Sequence, residues 1–106
     1  MSFEGQVWRL VRQEELVGEI LVEEADQPWL RGRFVPSTAF FAVEPLFTRS
    51  HALSEAEDWE AFEEAYDEIT KTMSLVSPSG PVAEFLLHIH DEKAWFRWSD
   101  EQFDDE

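Results

Sequence analysis

His88 and His90 stand two apart in the stretch EFLLHIHDEKAWFRWSDE, with Asp91 and Glu92 directly after them. Residues two apart on a strand share a face, so two imidazoles there could reach one cation. With a third protein ligand such a pair could hold a hydrolytic zinc and its activated water. The sequence does not obviously supply that ligand. No histidine follows His90, and His51 is the one other histidine in the chain. Asp91 and Glu92 fall in a predicted turn, where they aim poorly at a shared ion. Glu19 or Glu23 could complete the set only from a neighbouring strand. The expectation is therefore no metal and no cofactor. A metal-dependent hydrolase built on His88 and His90 stays as an alternative that metal in the purified protein would revive.

Other catalytic arrangements are missing from the sequence. It has no G-x-S-x-G elbow and no H-E-x-x-H, and Gly5, Gly18, Gly32 and Gly80 are isolated, with no phosphate-binding loop. Among 24 acidic residues some pair always lies at catalytic separation, so spacing alone assigns no acid–base couple. No residue is assigned a catalytic role, and the chain reads as a non-enzyme.

A second group of residues suits binding. Trp29, Arg31 and Arg33 alternate along one predicted strand, and His88, Trp95 and Arg97 fall on one side of the last predicted hairpin. If the two strands share a sheet, these six form one tryptophan- and arginine-rich face, with Arg9 possible beside them. Tryptophan and arginine combine large apolar area with a polar handle and are enriched in interface hot spots. The plain alternative is a solvated sheet face laced by cross-strand charge pairs, with tryptophans lying flat on arginine stems.

The acidic residues are unevenly spread. Eight lie between Glu55 and Glu68 with no base among them, and five more lie between Asp100 and Glu106. Along a helix, Glu60, Glu63, Glu64 and Asp67 could form an acidic docking surface for a basic partner, or only a solvated face.

Three predicted strands come first: Val7 to Arg12, Leu16 to Glu24, and Trp29 to Val35. In the second, Leu16, Ile20 and Val22 share the inward face and Glu19 and Glu23 the other. In the third, Leu30, Gly32 and Phe34 point in while Trp29, Arg31, Arg33 and Val35 point out. Ser37 or Thr38 can cap a short helix that Pro45 ends or kinks. Ser54 and Glu57 fit a capping box for a long helix from about Ser54 to Lys71. Its apolar stripe is Ala56, Trp59, Phe62, Tyr66, Ile69 and Met73. Ser74–Ser77 and a strand from Val82 flank a Pro78–Pro81 turn. A final hairpin turning at His90–Lys93 pairs Ile89 with Ala94 and turns Phe85, Leu87, Ile89, Ala94, Phe96 and Trp98 to one side.

The predicted fold is α+β: one twisted antiparallel sheet of about six strands in βββ-α-βββ order. One long amphipathic helix, with room for a short second one, packs on one face. At 106 residues this is one domain, 1–98, followed by an acidic tail, 99–106, expected to be disordered. No cysteine is present, which excludes disulfides and thiolate metal sites. A net charge of −16 argues against direct contact with nucleic acid or an anionic membrane. The N-terminal stretch lacks the apolar run of a signal peptide, so a cytoplasmic location is expected. The functional expectation is a small acidic interaction or regulatory protein, self-associating as a homodimer or binding a protein partner through the Trp/Arg face. The alternative is a module for a small anionic ligand, with Arg31, Arg33 and Arg97 as charge partners and Trp29 and Trp95 as walls.

Overall fold

The computed structural model describes residues 3–26 and 29–99, so the acidic tail beyond Ser99 lies outside the described residues. The chain begins with an antiparallel meander of β1 (Val7–Arg12), β2 (Glu15–Asp26) and β3 (Trp29–Pro36). Gln13 and Glu14 make the first turn with φ of 52° and 72°, the left-handed conformation that a two-residue hairpin turn requires. Two helices follow, α1 (Phe40–Glu55) and α2 (Trp59–Thr72). The chain then returns through β4 (Ser74–Ser77), β5 (Gly80–Pro81), β6 (Glu84–His90) and β7 (Lys93–Ser99). All seven strands form one antiparallel sheet in the order β5-β4-β1-β2-β3-β7-β6. The α+β class and the single antiparallel sheet are as expected. The strand number and the helical share are larger.

The sheet is strongly curled. At the β2–β3 ladder the register shifts between Val22 and Glu24, a bulge that bends the strand. Gly32 lies opposite Val22, and a Cβ on it would sit 2.0 Å from the Leu21 carbonyl oxygen. Only glycine admits so close an approach without moving the backbone. Curling brings β1 to face β7 across the interior, where the Trp8 ring lies 4.9 Å from Phe96 and 5.4 Å from Trp98. The short link from β5 to β6 joins the two ends of the sheet. Val82 donates its N–H to Leu75 of β4 at 3.0 Å, and Ala83 donates to Ser99 of β7 at 3.1 Å. The expected strand from Val82 onward is broken there, because the chain leaves one sheet edge and joins the other.

The core fills the inside of the curl. Trp8, Leu10, Ile20, Val22, Leu30, Phe34, Leu75, Leu87 and Phe96 are buried, and Phe40, Val43 and Phe47 of α1 with Phe62, Tyr66 and Ile69 of α2 join them. The predicted inward residues of β3, β6 and β7 are buried, except Trp98, which is half-buried. One position differs. Leu16 is exposed and Val17 is buried, because the β1–β2 register shifts between Leu10 and Val11 and inserts Val17 on the inner side.

The helix boundaries also need correction. Pro45 neither ends nor visibly shortens α1, which continues to Glu55. Proline leaves the carbonyl of the residue four back without its donor. That residue is Phe41, and Phe41 and Pro45 both lie on the exposed side, where water can replace the lost bond. Ser54 does not cap the second helix. It lies in the last turn of α1, and its carbonyl accepts the Glu57 N–H while Leu53 accepts from Asp58. With Glu57 at φ 59° this is a Schellman termination made without glycine. Asp58 is the true cap of α2, its carboxylate accepting from Ala61 N–H at 3.3 Å. Within α2, Phe62, Tyr66 and Ile69 are buried as the stripe requires, but Trp59 is 55% exposed.

Tyr66 ties α2 to the sheet. Its hydroxyl donates to the Phe85 carbonyl at 3.0 Å and accepts from Leu87 N–H at 2.7 Å, filling the place of a neighbouring strand on the edge of β6. Burial holds this phenol well above its usual pKa, so it stays a neutral donor. Among the described residues no helix is long and apolar enough to cross a membrane.

Candidate functional site

The ladders decide which of the singled-out side chains meet. Arg31 lies opposite Trp95, and Trp95 lies opposite His88, so one row runs across β3, β7 and β6. Arg33 pairs with Lys93, and Arg97 with Leu86. Register therefore places Trp29, Arg31, Arg33, Trp95, Arg97 and His88 on one side of the sheet, but their surroundings differ.

Arg31 and Arg33 are exposed. With Trp95 and Lys93 they line an open groove of about 640 Å³, whose other walls carry Glu23, Glu24, Asp91 and Glu92. The groove thus mixes three bases with four carboxylates. Arg31 also lies 3.8 Å from Asp26, an exposed pair that holds its guanidinium loosely. The same side of the sheet continues onto β2 and β1. Leu21 lies opposite both Val7 and Arg33, and Val35 lies two residues beyond Arg33. Val7, Leu21 and Val35 are 43%, 40% and 48% exposed. Val7, Leu21 and Lys93 were not singled out from the sequence, which turned Val35 outward but gave it no binding role. An apolar side chain at an outward position of an alternating strand is the signal that would have found Val7 and Leu21, the latter between Ile20 and Val22.

His88 is buried, only 8% exposed, because the helices reach round the edge of β6. Its ring stacks on Trp95 at 5.3 Å and on Phe62 of α2 at 5.9 Å, with Trp29 at 6.0 Å. Burial, and then the nearby His51, lower the pKa of His88, so its neutral form is favoured. The Trp/Arg face therefore does not lie wholly on the open side of the sheet, because at this end α2 covers His88. Trp29 and Trp95 are half-buried, and Arg97 is half-buried beside α2, away from Arg31 and Arg33.

The three histidines converge although sequence spacing separates one of them. His51, near the end of α1, stacks on His90 at 4.1 Å with a 15° angle between planes and stands edge-on to Trp95 at 6.1 Å. His90 Nε2 lies 3.4 Å from Asp91 Oδ2. Stacked imidazoles present faces to one another, whereas two ligands of one metal point their nitrogens at a common centre. Among the described residues no group of three or more His, Asp or Glu side chains is placed to hold a metal ion.

Glu60, Glu63, Glu64 and Asp67, the carboxylates that could form an acidic docking surface, are all exposed on α2. Glu63 and Asp67 line a second groove between α2 and β6, whereas Glu60 and Glu64 do not. Asp67 also binds Lys71 one turn on, at 2.9 Å, and this contact raises the lysine pKa. No family model, curated protein or solved structure matches the chain.

Proposed function

We propose that this protein is a small acidic interaction or regulatory protein without catalytic activity, which binds through the outer face of β1, β2, β3 and β7. The observation that carries the reading is the open groove holding Arg31, Arg33 and Trp95, continuous with exposed Val7, Leu21 and Val35. Apolar side chains interleaved with both signs of charge suit a protein surface as partner. The four carboxylates in the groove would repel a small anion as strongly as the three bases attract it, which weighs against the anionic-ligand alternative.

Self-association is the form of the reading that needs no foreign partner. A face of nearly balanced charge lets two copies approach although each carries −16 overall. The test is sedimentation velocity at high micromolar concentration for wild type and Arg31→Glu/Arg33→Glu, with thermal melts alongside. A wild-type dimer that the double variant loses while keeping its melting temperature supports the homodimer. A wild type that sediments as a monomer throughout sinks it.

A further inference from the structure

The second groove, about 520 Å³, is built differently from the first. Phe62, Tyr66, Phe85 and Leu86 line it, and the Trp59 indole stands edge-on to Phe62 at 5.9 Å with an 81° angle. Trp59 opens the first turn of α2 yet leaves 55% of itself in solvent, the most exposed tryptophan among the described residues. Glu63 and Asp67 of α2 stand on one bank and Glu84 of β6 on the other, with Arg97 the one base lining it among the described residues. We propose that this groove binds a peptide segment bearing lysine or arginine, with its cationic head against the Trp59 indole between Glu63 and Glu84.

Three features point to that class. An indole face attracts ammonium and guanidinium groups through its quadrupole, and an adjacent carboxylate strengthens the attraction. The apolar lining receives the methylene stem of such a side chain and an apolar neighbour in the segment. The volume lies within the ~300–1,000 Å³ usual for ligand sites, enough for a few side chains. An anionic segment would meet three carboxylates there, and the net charge of −16 draws cations in from a distance. This groove shares no lining residue with the one that holds Arg31, Arg33 and Trp95, although β7 contributes to both.

The probe is a dye-labelled peptide of alternating lysine and leucine, with an alternating glutamate and leucine peptide as control, read by fluorescence anisotropy. Saturable one-to-one binding of the lysine peptide alone is expected. Trp59→Ala and the pair Glu63→Gln/Glu84→Gln should each weaken it by about 10-fold or more. Glu60→Gln/Glu64→Gln removes the same charge from carboxylates outside the groove and should change binding little. Equal weakening by both double variants would mean attraction to the overall charge and overturn the site, as would absence of saturable binding. Trp59 is largely exposed, so its variant is expected to keep the fold, and a thermal melt checks this. The sheet-face reading is tested by sedimentation, so either can fail without the other.

Discussion

Phe62 and Glu63 are neighbours in sequence with opposite surroundings. Phe62 is buried, stacked on Tyr66 at 5.7 Å and on His88, while Glu63 is exposed. Phe62→Ala should cost about 3–5 kcal/mol, the range for a truncated core aromatic, and Glu63→Ala should move stability little. Denaturant midpoints for the two variants check this, and equal shifts would contradict the assigned packing. His88 gives the second prediction at this scale. Its folded pKa lies below its unfolded value of about 6.5, so the unfolded chain takes up the proton more readily. The stability that neutral His88 contributes is complete above about pH 6.5 and is lost as pH falls from there towards the folded value. Acid also relieves the general negative repulsion, so the effect is read as a difference. Melts from pH 8 to pH 5 should show wild type losing stability relative to His88→Phe below about pH 6.5. Parallel curves would show that this imidazole titrates as it does in the unfolded chain.

At the scale of elements, the joint between α1 and α2 holds a non-glycine residue in the left-handed region, Glu57 at φ 59°. An L side chain there costs about 1–2 kcal/mol, offset partly by the greater chain entropy glycine loses on folding. Glu57→Gly should therefore stabilise by roughly 0.5–1 kcal/mol, seen as a higher melting temperature. A lower one would mean that the Glu57 side chain makes a compensating contact. This joint also shows what could be read from the sequence. The stripe Phe62, Tyr66, Ile69 was legible because buried positions on a helix recur every three or four residues. The pairing of Ile89 with Ala94 was legible because alternation fixes register. The start of α2 was not, since Ser54-x-x-Glu57 and Asp58 are both good caps in sequence, and only the preceding helix decides between them. Pro45 misled for a similar reason, because its cost depends on whether the freed carbonyl meets water or protein. For the candidate site, alternation placed Arg31, Arg33 and Trp95 on one side correctly. It could not show that His51 would reach His90 or that α2 would cover His88, because those contacts depend on how the helices wrap the sheet edge.

For the molecule as a whole, like charges outnumber opposite ones. The ion pairs Arg12–Glu15, Arg31–Asp26 and Lys71–Asp67 are partly or largely exposed, so water and salt screen them and each contributes little to stability. Against them stands a net charge of −16 on 106 residues. Sodium chloride screens both, with a Debye length of roughly 10 Å at 0.1 M, but repulsion has more to lose. The melting temperature should therefore rise between low and moderate salt, and a fall would show that favourable pairs dominate. The Val82–Ala83 bridge has a consequence for time as well as shape. The ladders that bring its two ends together join residues as far apart in sequence as Arg9 and Val76, or Leu30 and Phe96. Contacts of that range form slowly, after the local hairpins and helices. Val82 only continues the β4–β5 hairpin and Ala83 the β6–β7 hairpin, so these two amides can bond early, whereas the curl waits for the distant ladders. With Val82 and Ala83 alone between β5 and β6, the link acts as a tether: the two edges of the curled sheet cannot part while both hairpins stand.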